Sequence, residues 1–543
     1  MSASREKQNR QAAGGRTDPK TAREAQQRKE EKRSNLLYGV IAAVVLIGVI
    51  ASFIWRSDFI PKMTTAATID GETYSAAEVG YYYQSAYRNF INQNSYLINY
   101  LGLNTSASLK SQEISADAAS ILGIEVPGAD AESDGEPAEG EDAADTGDAS
   151  TGMTWHDFFM DQALDNMTVI QAALKAADAE GFTAPAGVQA QYDDNMDSLK
   201  STAAASGLSV GQYLKGNFGA GVTEKVYGEQ LMRVLRYSAY VDAYQDSLTY
   251  SDSELEEVYN ADRNTYDHVS YEIASISGTA ESTTDAEGNT VEPTEAESAA
   301  ALAAAQDAAK AMLEGVQAGE ALEDLAEEYD GTYNNNEQGS YNAGSVTSEW
   351  LYDSSRKAGD SAVLEDGTVQ YVVVFHDRFR DETPTIDIRH ILVPLGTATL
   401  TQEDEGYDDE QAQLKADAHA KAEELLSQWQ SGEATEDSFA ALAMAESVDG
   451  SKYDGGLYTE VYQGQMVTEF NDWCFEPSRQ PGDTGVVDTQ YGAHVMYFSG
   501  VNMNRWQSRA ASALRNEAYA AWEEDLTEGV AVQRNESGLK LIG

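Results

Sequence analysis

Two of the chain's six histidines, His390 and His494, lie in short strand-like runs, IDIRHILVPL and AHVMYF. Imidazole is the side chain whose charge changes nearest neutral pH, so a pair of them can hold or relay a proton, although a lone histidine on a strand is more often structural. Asp449 ends a Ser447-Val448-Asp449 turn, where capping is its simplest role. Met466 and Phe470 are suited to an apolar pocket, one adaptable and the other a rigid wall. The single cysteine, Cys474, stands between Trp473 and Phe475 and reads as a small buried apolar residue. With no second cysteine an intramolecular disulfide cannot form, and the fold must rely on core packing.

These residues fall in the second of two related segments. WLYDSSRKAGDSAVLEDGTVQYVVVF from Trp350 and WCFEPSRQPGDTGVVDTQYGAHVMYF from Trp473 align without a gap at an offset of 123. Upstream, GEALEDLAEEY at Gly319 parallels GEATEDSFAALAMAES at Gly432, each after an Ala-rich helix. Two related domains are expected, residues 267–380 and 385–501. Each opens and closes on a strand-like run, VSYEIASI and VQYVVVF in the first, which predicts an α+β fold with a small antiparallel sheet against helices.

The second segment resembles the parvulin family of peptidyl-prolyl isomerases. The resemblance rests on Arg389-His390-Ile391-Leu392-Val393, Gly432-Glu433, Phe439, Leu442-Ala443, Ser447-Val448-Asp449, Gly455-Gly456, Gly464-Gln465-Met466, Phe470, Phe475 and Tyr491-Gly492-Ala493-His494-Val495. It implies His390 and His494 facing each other on neighbouring central strands as catalytic groups, with Asp449 near to set their tautomers. Met466, Phe470, Tyr458, Thr489, Tyr491 and Gln465 would line the substrate pocket. Rotation about an X–Pro bond meets a barrier of about 18–20 kcal/mol, and uncatalysed exchange is slow enough to limit folding. No bond breaks, so the implied site needs neither metal nor cofactor; it must only bind the twisted amide better than the planar forms.

Two features depart from the family pattern. Leu457-Tyr458-Thr459 follows the double glycine where Asp-Leu-Gly is usual, so Tyr458 replaces a pocket leucine. The loop after His390, TATLTQEDEGYDDE, is acidic, which argues against phosphate-directed recognition. In the first segment Tyr371 falls where His494 does, and Glu272 or a neighbour replaces His390, so that domain is expected to keep the fold without the activity.

The remaining elements set the location. Residues 35–55, NLLYGVIAAVVLIGVIASFIW, form an uncharged run that spans roughly 30 Å as a helix, and they are expected to cross a membrane. A cleaved signal peptide is the rival reading, weakened by the length of the run. Residues 1–34 carry ten Lys/Arg against five acids, which keeps them cytoplasmic and the bulk extracytoplasmic, a single-pass cell-membrane topology. The chain's net charge is −55, leaving −60 outside the basic tail and excluding nucleic acid as a partner. Residues 64–266 read as a mostly helical domain, with an acidic disordered insertion at 127–152 that holds nine acids and no base. Residues 504–543 are expected to form a C-terminal helix packing on that domain. The whole architecture resembles the SurA/PrsA type of membrane-anchored extracytoplasmic foldase. The implied function is a peptidyl-prolyl cis-trans isomerase and chaperone for unfolded or proline-containing exported polypeptides; the alternative is an inactive holdase on the same scaffold, and a homodimer is allowed.

Overall fold

The computed structural model describes residues 58–124, 150–285 and 288–543. The tail 1–34 and the apolar run 35–55 lie outside the described residues. Among the described residues no helix is long and apolar enough to cross a membrane. The chain divides into two compact units, one of residues 58–182, 192–237 and 526–543, the other of 183–191 and 238–525.

In the first unit Thr65–Ile69 and Glu72–Ser75 form a tight antiparallel pair, turned by Asp70-Gly71. Val532–Arg534 adds a third strand on the other side of Thr65–Ile69. The stretch 504–543 is therefore more than the expected helix. The helix Arg505–Thr527 is closed off by Gly529, whose φ of +72 suits a residue without Cβ, and the chain then turns into that strand. Helix Ala76–Gln93 starts on a capping box of Ser75 and Glu78, and Trp155–Glu180 on one of Thr154 and Asp157. Their aromatic faces meet in a core of Tyr83, Trp155 and Phe159, joined by Leu539 and Ile542 from the C-terminal end. Most of the acidic insertion, 127–149, is outside the described residues. Its last three residues are not part of an irregular loop: Ser150–Thr154 is a strand paired with Glu113–Ser115, and where that pairing shifts register Thr151 Oγ1 donates to Ile114 O. The base of the insertion is thus tied.

In the second unit the two segments build sheets of the same order. In the first, Thr332–Gly339, Asp267–Ser277, Val369–Arg380 and Ser361–Asp366 lie side by side, all antiparallel. In the second, β1 (Pro384–Pro394) and β4 (Gly492–Asn504) are central, with β2 (Leu457–Val461) beside β1 and β3 (Thr484–Thr489) beside β4. Side chains alternate across a strand, so the sheet sorts its residues by parity. Ile391, Ala493 and Val495 face α1 (Tyr407–Ser431) and α2 (Glu436–Glu446), packing on Ala418, Ala422, Leu425 and Phe439. Ile386, Ile388, Met496 and Phe498 face the other way, onto Phe470 and Cys474 of α3 (Thr468–Cys474). His390 and His494 share this second face. Cys474 is buried and its thiol is pushed up to about 12 by burial, which leaves it a packing residue.

Helix Arg505–Thr527 buries Trp506, Ala510 and Ala511 against Leu255, Tyr259 and Tyr266. Farther along, Trp522 stacks on Tyr244 with ring centroids 4.6 Å apart.

Candidate active site

β1 brings His390 opposite Met496 and Leu392 opposite His494, so the two imidazoles sit diagonally across the central strand pair. Two glycines allow the loops to close on them. Gly456 has φ +76, and a Cβ there would lie 2.3 Å from the His390 carbonyl oxygen; its own carbonyl accepts from His390 N at 2.9 Å. Gly492 has φ +142, and a Cβ there would meet the Val393 carbonyl oxygen at 2.1 Å. On the opposite face Arg389 pairs with Glu436 at 2.9 Å and donates to the carbonyls of Asp454 and Gly455, which holds the double-glycine loop from behind.

The histidines meet through Nδ1, 3.1 Å apart. Their planes differ by 20° with centroids at 5.3 Å, so at that Nδ1 distance the rings lie edge to edge. Nε2 of His390 lies 3.2 Å from both Ser451 Oγ and Asp449 Oδ1. Asp449 Oδ1 also accepts from Ser451 N at 2.9 Å, Ser451 Oγ at 2.5 Å and Tyr458 OH at 2.9 Å. At the far end Thr489 Oγ1 is 2.9 Å from His494 Nε2. One assignment of hydrogens satisfies the chain with both rings neutral. His390 Nε2–H donates toward Asp449, His494 Nδ1–H donates to His390 Nδ1, and Thr489 O–H donates to His494 Nε2. Phe470 stands edge-on to both imidazoles, at 5.4 and 5.3 Å.

The electrostatics follow from this wiring. His390 is 2% exposed and His494 5%. Burial above all pushes His494 down to about 4, so it is neutral at physiological pH. The hydrogen bond from His390 holds the Asp449 carboxyl well below the usual range against its partial burial, with Ser451 helping. Burial, then the Asp449 bond, pushes the Tyr458 phenol up to about 12.

His390, His494, Asp449, Thr489, Tyr458 and Phe470 are brought together. Met466 is half-buried and packs in the same apolar cluster as Phe470 and Tyr458. Gln465 is exposed, and its Oε1 accepts from Tyr462 N at 3.1 Å, closing its own turn. Tyr491 is 58% exposed and joins the network only through its backbone N–H, which donates to Thr489 Oγ1. Sequence reasoning missed Ser451 altogether and the role of Ser447. Ser451 bridges Asp449 and His390, while Ser447 Oγ accepts from Leu392 N at 3.0 Å and Asp449 N at 3.2 Å, pinning the turn to β1. The Asp-x-Ser spacing, a signature of an aspartate that caps the second following residue, could have revealed Ser451.

In the first sheet Val373 pairs with Ile273 and Tyr371 with Ser275. Ile273, rather than Glu272, therefore takes the place of His390, and Tyr371 that of His494. The strand register carries no equivalent of the pair.

Residues 375–500 match the family described as the PPIC-type PPIase domain. The chain thus carries a domain of the parvulin type, which takes in β1 to β3, most of β4 and only the end of the strand Val369–Arg380. Among solved structures the chain is similar to the peptidylprolyl isomerase PrsA from Bacillus anthracis, at 21% identity over 27% of this chain and 58% of that one, with a TM-score of 0.17. It spans little more than half of that structure. PrsA from Bacillus subtilis matches at 13% identity over 73% and 95% of the two chains, TM-score 0.28. SurA-like chaperones from Campylobacter jejuni match at 21% over 28% and 57%, TM-score 0.15. No curated protein matches the chain.

Proposed function

We propose that this chain is a membrane-tethered, extracytoplasmic peptidyl-prolyl cis-trans isomerase and chaperone that assists the folding of exported proteins. The observation that carries the catalytic reading is the buried His390–His494 pair, joined through Nδ1, ending on Asp449 and walled by Phe470, Met466 and Tyr458. Burial of the imidazoles divides the labour. At 2% and 5% exposure they act from beneath the surface, whereas the Asp449 side chain is 22% exposed and reaches the mouth. The histidines hold Asp449 and the pocket wall in one geometry; Asp449 supplies a fixed negative field beside the amide; Met466 and Phe470 receive the proline ring. Such a preset arrangement favours the twisted amide, because the groups need no reorganisation as rotation proceeds.

The test is a proline-containing peptide whose cis-to-trans relaxation is followed with and without the full chain. Acceleration is expected, falling about 10-fold or more in Asp449→Ala and Met466→Ala. His390→Ala combined with His494→Ala is expected to abolish activity altogether, since Ile273 and Tyr371 leave the first domain without the pair. No acceleration by the unaltered chain would sink the isomerase and leave the holdase. Tyr96 and Tyr100, 80% and 75% exposed in the first unit, support that chaperone component; suppression of client aggregation measures it.

A further inference from the structure

Tyr458 lies on β2 directly opposite Ile388, so ladder hydrogen bonds and not a mobile loop decide where its side chain goes. Its hydroxyl donates to Asp449 Oδ1 at 2.9 Å, and its ring lies nearly parallel to His390, at 23° with centroids 5.2 Å apart. Among the described residues it is the one side chain that touches both the carboxylate and the first imidazole while also belonging to the apolar wall with Met466 and Phe470.

We infer that Tyr458 is a positioning residue of the isomerase site: its phenol fixes the charge of Asp449, and through it the tautomer of His390. The Ser451 backbone N–H, the Ser451 hydroxyl and the Tyr458 hydroxyl all converge on Oδ1, with His390 Nε2 at 3.2 Å. An oxygen surrounded by donors is one that must stay ionised. An ionised Asp449 in turn requires the hydrogen of His390 on Nε2, which frees Nδ1 to accept from His494 and leaves His494 Nε2 to accept from Thr489. The direction of the whole chain is set from the Tyr458 end. An aliphatic residue at this position could supply the wall but not the bond. The other charge acting on the pair is Asp488 on β3, which opposes the effect of burial on His494.

The experiment compares the full chain with its Tyr458→Phe and Tyr458→Leu variants by two readouts. One is the imidazole nitrogen NMR of 15N-histidine-labelled protein; the other is the pH profile of proline isomerisation. The kinetic readout rests on the function proposed above, whereas the NMR readout does not and decides the matter even if the unaltered chain proves inactive. Tyr458→Phe keeps the ring and loses the donor. It is expected to shift the His390 nitrogen resonances, to lower kcat about 10-fold at unchanged KM, and to move the acid limb of the profile to higher pH as Asp449 becomes easier to protonate. Tyr458→Leu adds a change in KM. If Tyr458→Phe leaves the resonances and the profile as in the unaltered chain, and only Tyr458→Leu changes KM, Tyr458 is merely wall and the inference is overturned.

Discussion

Asp449 and His494 stand at opposite points of one hydrogen-bonded chain, and both make the fold sensitive to acid. For His494 the folded pKa of about 4 lies below the ordinary value of 6.5, so between these values the unfolded chain binds a proton that the folded one refuses. Stability contributed by the neutral ring is therefore full above about pH 6.5 and is lost as pH falls toward 4, by about 3 kcal/mol in all. Asp449, depressed below the carboxylate range, adds a further loss below its unfolded value. Acidification also relieves the repulsion within a strongly acidic chain, which acts in the opposite sense. The comparison that isolates the histidine is the urea midpoint of the full chain against His494→Gln at pH 7.5, 6 and 4.5. The difference between the two is expected to shrink steadily on acidification; a constant difference would show that His494 is not held neutral. At this scale the histidines, Asp449 and the apolar wall were legible in the sequence, because ordered motifs carry them. The roles of Ser451 and Ser447 were not legible there: a serine's role depends on which carboxylate and which backbone N–H lie next to it.

β2 shows how an element couples distant parts of the second unit. Two residues after Tyr458, Glu460 adopts φ +53, a region costly for a side-chain-bearing residue. Its N–H donates to Asp387 at 2.9 Å, and its carboxylate receives Ser508 Oγ and Arg515, each at 2.6 Å, from the C-terminal helix. Those contacts hold the strained residue where the pairing of β1 and β2 shifts register. Arg515→Ala is expected to destabilise the second unit by about 1–3 kcal/mol, because it strips a part-buried carboxylate of its cation. Glu460→Gly should also destabilise, although it relieves the backbone, since the anchor is lost. Thermal melts of both variants check this; a more stable Glu460→Gly would show that strain outweighs the anchor. None of this was visible in the pattern of residues 504–543, where the sequence reveals a helix but not which carboxylate its arginine meets.

For the molecule as a whole, the C-terminal end completes the N-terminal sheet. Ala67 pairs with Arg534, Arg534 meets Asp161 at 2.7 Å, and Leu539 and Ile542 are 7% and 4% exposed in the core of the first unit. Ending the chain after Thr527 removes the strand and both aliphatic side chains. The first unit is expected to lose about 3–6 kcal/mol, read as an earlier melting step that leaves the second unit's transition in place. A single unaltered transition would refute it.

The sequence by itself determined the duplicated domain, the parvulin-type motif set and the strand character of the runs that became β1 and β4. Each is local or periodic: an offset of 123, a double glycine, alternation along a strand. Tertiary structure alone decided the rest. It placed Ile273 at the position of His390, and it joined residue 534 to residue 67. It also converged Tyr458, Ser451 and His390 on one carboxylate oxygen, because register and side-chain geometry arise only when strands distant in the chain pair.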